Sequence, residues 1–282
     1  MTLRVDPITG ELRLVASGRS ARLGPRPHGC PFCVGNEHTT PDESGRIDAR
    51  DHIVEGDWSA RSFPNLFPLT EPHEVLVPTP RHVTSWRALT VPELEAGIEL
   101  LLQRHTALQQ PGRYVHAFVN CGAEAGASIA HVHAQLVSVP AAGHAEHLTH
   151  GVRGADCTLC ELLAKRPEFI VERGLRYAIV AHPLPRMGGA LLVVPVEHDP
   201  IVDDEHPTEL AALVHRAMQA VAPDVALNLW LVANAEADAH WYLEVQPRTA
   251  HLAGVELALG LRVIATDPLD TAAAARERLA MP

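Results

Sequence analysis

Apolar and polar positions along the chain follow two periods. The runs HEVLVPTPRH and GALLVVPVEH open with apolar stretches that end in proline and then histidine, and both read as strands. Further strands are predicted at YVHAFVNCG and HVHAQLVSVP, and later at ALNLWLVAN and HWYLEVQPR. Between them, LTVPELEAGIELLLQRHTALQ and HPTELAALVHRAMQAVA place apolar residues three and four apart, the period of a helix that buries one face. Thr90 followed by Glu93 supplies a capping signal at the start of the first helix.

These elements form a repeat. A CxxC pair is followed by an apolar strand, a histidine, a helix and two more strands, the last of which begins with a histidine. Cys30, Cys33, His82 and His131 occupy these places in the first copy, and Cys157, Cys160, His198 and His240 in the second. The fold class expected is α+β: two fused halves, residues 1–145 and 146–282, each an antiparallel sheet crossed by a helix.

Composition narrows the function. The 282 residues are 46% hydrophobic, enough for a sizeable core, which excludes disordered and collagen-like classes. Lys and Arg number 23 against 34 Asp and Glu, a net charge of −11. Such a surface repels nucleic-acid backbones, though a locally basic pocket for a small phosphate ester is still allowed. Lys165 is the sole lysine, and GxxxxGK[ST] and GxGxxG are both absent, so phosphate-loop chemistry is disfavoured. The first residues lack the apolar core of a signal peptide, and no apolar run reaches membrane-spanning length; a cytoplasmic protein with no membrane partner is expected.

Two CxxC pairs admit three readings. A disulfide framework is unnecessary in a reducing compartment with a large core. A redox pair should open a helix after a strand, and the Pro/Gly-rich flanks of Cys30 argue against that. Zinc remains. The pairs are too far apart to share one ion, so each takes two histidines: Cys30/Cys33/His82/His131 and Cys157/Cys160/His198/His240, two zinc ions per chain. Structural zinc contributes about 10–16 kcal/mol in small peptides, comparable to the stability of a whole domain. Cys121 stands outside both sets and reads as a packed thiol.

The segment NCGAEAGASIAHVHAQ carries the chemistry. On a strand His131, His133 and Gln135 share one face. With His131 assigned to zinc, His133 is left to act, and the small-residue run from Gly122 to Ser128 can bring backbone N–H groups close to an anionic oxygen.

In CPFCVGNE, FPNLFP, HEVLVPTPRH, N-x-G-x-x-x-G-x-S-x-x-H-x-H-x-Q, HWYLEVQPR and AGVELALG, taken in order, the chain resembles the galactose-1-phosphate uridylyltransferase family of the histidine-triad superfamily, including its plant-type ADP-sugar phosphorylase branch. The resemblance implies a duplicated histidine-triad-like fold, with His133 as a nucleophile that becomes nucleotidylated. Ser128 and Gln135 would hold the phosphate, and Asn120 would position the nucleophile's surroundings. It further implies that Arg19 and Arg22 meet phosphate across a subunit interface of a homodimer, that Asn65 contacts the nucleoside, and that Glu256 binds sugar hydroxyls. The second copy reads His240-Trp241-Tyr242, without a second histidine, so it should hold metal and no nucleophile.

The activity implied is nucleotidyl transfer, foremost from UDP-glucose to a hexose 1-phosphate such as galactose 1-phosphate. An ADP-sugar or dinucleotide phosphorylase, which uses inorganic phosphate, is the enzymatic rival. A zinc-stapled nucleotide-binding protein without catalysis is the rival of another class. Gln135 stands where hydrolytic relatives carry a third histidine. An amide donates a hydrogen bond but cannot act as general acid or base, which favours transfer over hydrolysis.

Overall fold

Thr90 opens α1 (Val91–Ala107) as the sequence predicts. Its hydroxyl accepts the Glu93 N–H at 3.4 Å, and Glu93 returns a carboxylate to the Thr90 N–H at 2.8 Å, so two N–H groups that the helix start leaves open are satisfied. The buried stripe Leu94, Ile98, Leu101 and His105 seats the helix on a sheet. Gly97 is required there: a Cβ would lie 2.5 Å from Cβ of Pro78, so helix and chain approach too closely for any side chain.

The structure is a computed structural model that describes residues 2–16, 29–53, 55–140, 146–203 and 206–281. A separate hairpin pairs β1 (Thr2–Val5) with β2 (Leu12–Val15). The first half continues with β3 (Gly45–Asp48), β4 (Trp58–Pro64), β5 (His73–Val77), α1, β6 (Arg113–Cys121) and β7 (Ala134–Pro140). The second comprises α2 (Glu146–Thr149), α3 (Thr158–Lys165), β8 (Ile170–Arg173), β9 (Tyr177–Ala181), β10 (Leu191–Pro195), α4 (Pro207–Ala220), β11 (Leu227–Asn234) and β12 (Ala239–Pro247). It ends with α5 (Gly254–Leu259) and α6 (Pro268–Ala280).

Strand order is β3-β4-β5-β7-β6-β11-β12-β10-β9-β8, antiparallel at every step. The order of the first five strands is mirrored by that of the last five. The two sheets expected from the repeat are thus joined edge to edge into a ten-stranded one through β6 and β11, from Leu227 opposite Cys121 to Trp230 opposite Phe118. Each half would otherwise leave a central strand with unpaired N–H and C=O groups, and joining satisfies them.

Helices α1 and α4 pack on one face of this sheet, with α6 beside α4. Val115, Ala117, Val119 and Cys121 of β6 turn toward that core, and the alternate residues His116, Phe118 and Asn120 turn to the other face. On the other face a smaller cluster of Phe32, Trp58, Phe63, Val75 and Val77 packs with Cys30 and Ile129. The chemistry sits on that side.

One boundary differs from expectation. β7 begins at Ala134, so His131 and His133 precede the regular strand, in a segment fastened where the Val132 N–H donates to the Val83 carbonyl at 2.8 Å. In the second half, β12 includes His240 as its second residue. No described helix is long and apolar enough to cross a membrane.

Candidate active site and metal centres

Each Cys/His set predicted from the repeat comes together in space. In the first, Nδ1 of His131 lies 3.4 Å from Cys30 Sγ and 3.7 Å from Cys33 Sγ, and Nδ1 of His82 lies 3.2 Å from Cys33 Sγ. In the second, the corresponding distances are 3.5 Å for Cys157 to His240, Cys160 to His240 and Cys160 to His198. A tetrahedral zinc with Zn–S of about 2.3 Å and Zn–N of about 2.0–2.1 Å requires S···N edges of about 3.5 Å, so both donor sets fit that ion.

The far nitrogens fit as well. Nε2 of His131 faces the Thr79 carbonyl at 3.2 Å, His240 faces that of Pro195 at 3.1 Å, and His198 that of Asp238 at 3.3 Å. A carbonyl only accepts, so these Nε2 atoms carry the proton and each Nδ1 lone pair turns inward, the arrangement that orients metal-binding imidazoles. Burial pushes His131 and His240 down to about 4, and burial with a neighbouring thiol pushes Cys33 and Cys160 up to about 11. A divalent cation would convert those thiols to thiolates, as its charge offsets their desolvation.

Beside the first set lies His133, 5% exposed. Its Nδ1 is 2.8 Å from the His131 carbonyl oxygen, so Nδ1 holds the proton and Nε2 keeps its lone pair. Phe32 sets its ring edge against both imidazoles, with centroids 5.9 Å from His131 and 5.4 Å from His133. Phe32 lies between the two cysteines of the first pair, so the Cys30–Cys33 loop and His133 are packed as one body. Arg61, fully buried, donates to the Pro31 carbonyl at 3.3 Å and to Thr40 Oγ1 at 3.0 Å, fixing the same loop. Sequence reasoning missed both roles, since neither residue belongs to a ligand pattern.

Gln135 is buried on β7, its Oε1 3.1 Å from Nε2 of His73. His73 opens β5 and also receives the Leu69 N–H on Nδ1 at 2.9 Å. It too was missed, although it stands two residues before Val75, which pairs with Gln135 across the ladder. Asn65 forms a turn in which Oδ1 accepts the Phe67 N–H at 2.8 Å, leaving Nδ2 3.2 Å from His73 Nε2.

Asn120 ends β6. Its Nδ2 reaches the Gly126 carbonyl at 3.5 Å and its Oδ1 accepts from Asn228 of β11 at 2.8 Å. Gly122 and Gly126 both have φ above +90°, which bends the loop that carries Ser128, an exposed residue. Glu256 lies in α5, where its carboxylate accepts the Ala253 N–H at 3.0 Å and so caps the helix. Arg19 and Arg22 lie outside the described residues. Cys121 is buried and accepts the Trp86 N–H at 3.5 Å, as a packed thiol should. A basic pocket also exists in this acidic chain: Arg186, Arg248 and Arg262 line a cavity of about 330 Å³ with His116, Asn228 and Trp230.

In the second copy Tyr242 stands where His133 does and Glu244 where Gln135 does. Tyr242 donates to the Leu148 carbonyl at 3.1 Å. Glu244 is fully buried, and burial pushes its carboxyl up to about 7 against the pull of Arg186, 3.2 Å away.

Two mirrored strand sets surround the paired Cys/His groups, with an H-x-H-x-Q segment in the first. Residues 47–139 match the family model of the HIT domain. ADP-glucose phosphorylase of Arabidopsis thaliana is 24% identical over 98% of this chain and 92% of its own length. Galactose-1-phosphate uridylyltransferase of Thermotoga maritima is 28% identical, over 50% of this chain and 47% of its own length. The crystal structure of an Arabidopsis thaliana ADP-glucose phosphorylase with bound ADP-glucose superposes with a TM-score of 0.76 at 22% identity, covering 98% of both chains. A uridylyltransferase structure superposes at 0.74, also 22% identical, over 99% of this chain and 98% of that one.

Proposed function

We propose that the chain is a nucleotidyltransferase that takes a nucleotidyl group from a nucleotide sugar onto His133 and passes it to phosphate or to a sugar 1-phosphate. The observation that carries this reading is the hydrogen bond from His133 Nδ1 to the His131 carbonyl, 2.8 Å, which fixes the lone pair on Nε2. That nitrogen attacks the α-phosphorus. A P–N bond forms, the P–O bond to the departing sugar phosphate breaks, and the sugar 1-phosphate leaves as an anion that needs no proton. The acceptor oxygen then attacks the same phosphorus and returns Nε2 to its starting state. Gln135 and the loop from Gly122 to Ser128 would hold the phosphoryl oxygens through N–H and O–H donors, stabilising charge that grows in the transition state.

For the donor, the near full-length likeness to ADP-glucose phosphorylase favours an ADP-sugar, with inorganic phosphate as acceptor. Uridylyl transfer between UDP-glucose and a hexose 1-phosphate, the foremost expectation from sequence, is the second reading, supported by a relative matched over half the chain. Arg19 and Arg22 of a partner subunit, Asn65 and Glu256 would complete the substrate contacts. Two zinc ions, one per Cys/His set, would staple the halves. At His131 the zinc would supply rigidity: it fixes the imidazole whose own carbonyl orients His133.

Incubation with ADP-glucose or UDP-glucose labelled at the α-phosphorus decides the base by which one leaves label on His133. The acceptor is decided by whether phosphate or hexose 1-phosphate removes it. His133→Ala should take no label while keeping its metal; absence of label from both donors on the native chain would refute the covalent mechanism.

A further inference from the structure

We infer that His73 is a positioning residue for this reaction: through one hydrogen bond it fixes which end of the Gln135 amide faces the reacting phosphate. The inference rests on the nucleotidyl-transfer reading above. His73 is 3% exposed, and its Nδ1 lies 2.9 Å from the backbone nitrogen of Leu69. A backbone N–H can only donate, so Nδ1 has no proton and a neutral ring must carry its proton on Nε2.

Among the described residues two side chains lie close to that nitrogen, Gln135 Oε1 at 3.1 Å and Asn65 Nδ2 at 3.2 Å. Asn65 has its oxygen on the Phe67 N–H at 2.8 Å, so only its NH2 faces the ring, and two donors do not bond. The Nε2 proton therefore goes to the Gln135 oxygen. With that oxygen held, the Gln135 NH2 is turned away from His73 and presented as a donor. A phosphoryl group offers only acceptor oxygens, so the flipped amide would set oxygen against oxygen. A backbone N–H thus fixes a tautomer, the tautomer fixes an amide, and the amide receives the phosphate.

The test uses the whole 282-residue chain loaded with zinc. His73→Phe keeps a ring of similar shape and removes the donor. The rate of His133 labelling should fall by up to about 100-fold, the cost of a misplaced group near the reacting atoms, with KM for the nucleotide sugar little changed. His73→Gln, whose amide nitrogen can stand near the place of Nε2, should restore most of that loss. In a Gln135→Ala background His73→Phe should slow labelling no further, because the group it positions is gone. Equal slowing in both backgrounds, or a His73→Gln chain as slow as His73→Phe, would overturn the role.

A long-range proton–nitrogen spectrum of histidine-labelled protein supplies a readout independent of turnover. The His73 ring should be protonated at Nε2, and protonation at Nδ1 overturns the pairing. If the native chain takes no label while the Nε2 tautomer is present, the failure belongs to the transfer reading, and the role assigned to His73 in it falls too.

Discussion

Asn228 of β11 donates to Asn120 of β6 at 2.8 Å and to the Ala125 carbonyl at 3.0 Å, so a residue of the second half holds the loop that precedes His133. Replacing that NH2 by an oxygen would set acceptor against acceptor. Asn228→Asp should cost about 2 kcal/mol, the penalty of unsatisfied buried polar groups. A drop of roughly 4–8 °C in Tm should be visible in thermal unfolding, with a slower labelling rate. An unchanged Tm would show that the loop is held by other contacts.

Both Cys/His sets have the donors and edge lengths for tetrahedral zinc, so metal analysis of the purified chain should return about two zinc ions. Cys33→Ser should remove one and Cys160→Ser the other. Since binding energy of structural zinc is folding energy, chelation should lower Tm by tens of degrees or unfold the chain. A metal-free chain with the native Tm would contradict the stapling role.

Glu93 and Glu244 predict opposite pH dependences. Burial would raise Glu93, yet Arg81, the Thr90 backbone and Thr79 together hold it at about 2. Its folded value lies below the unfolded one, so its contribution is present above about pH 4.5 and is lost as pH falls toward 2. Glu93→Gln should therefore be less stable than the native chain at pH 7, by about 2 kcal/mol, with the gap closing on acidification.

Glu244 is raised to about 7 by burial, so it stabilises the fold while protonated and costs stability as pH rises from about 4.5 through 7. Glu244→Gln should be more stable than the native chain at pH 8 and nearly equal to it at pH 4. Denaturation midpoints at the two pH values check both predictions.

Gln135→His would place a titratable ring where the amide now stands. A histidine can deliver or accept a proton, so the ratio of nucleotide-sugar hydrolysis to transfer should rise by at least about tenfold. Release of free nucleotide in the absence of an acceptor measures it, and an unchanged ratio would show that the amide is not what holds hydrolysis back.

The parts legible in the sequence were those with a local or periodic cause. The Thr90/Glu93 box marked α1 because both partners lie within one helical turn. The ligand sets were legible because duplication printed the same pattern twice, which no single histidine could have revealed. The joining of β6 to β11 was not legible, because edge pairing leaves no signature in either strand. His73 escaped because its task depends on three contacts, Leu69, Gln135 and Asn65, of which one comes from a strand more than sixty residues away. The start of β7 was placed too early because the segment of His131 and His133 is held by a single bond from the Val132 N–H to the Val83 carbonyl and has no ladder. Glu256 is found capping its own helix, a use that sequence spacing shares with many surface glutamates.

The carboxyl at Glu244 has a consequence for how the duplication can evolve. The second copy not only lacks a histidine at the place of His133; it has an ionisable acid where the first copy has Gln135, the residue proposed to hold the phosphoryl group. A phosphoryl group entering there would meet a side chain that sheds its proton near neutrality and then repels it. Reverting Tyr242 to histidine alone would leave that repulsion in place. The asymmetry is therefore locked by two positions, and a single substitution is not enough to regain a second centre.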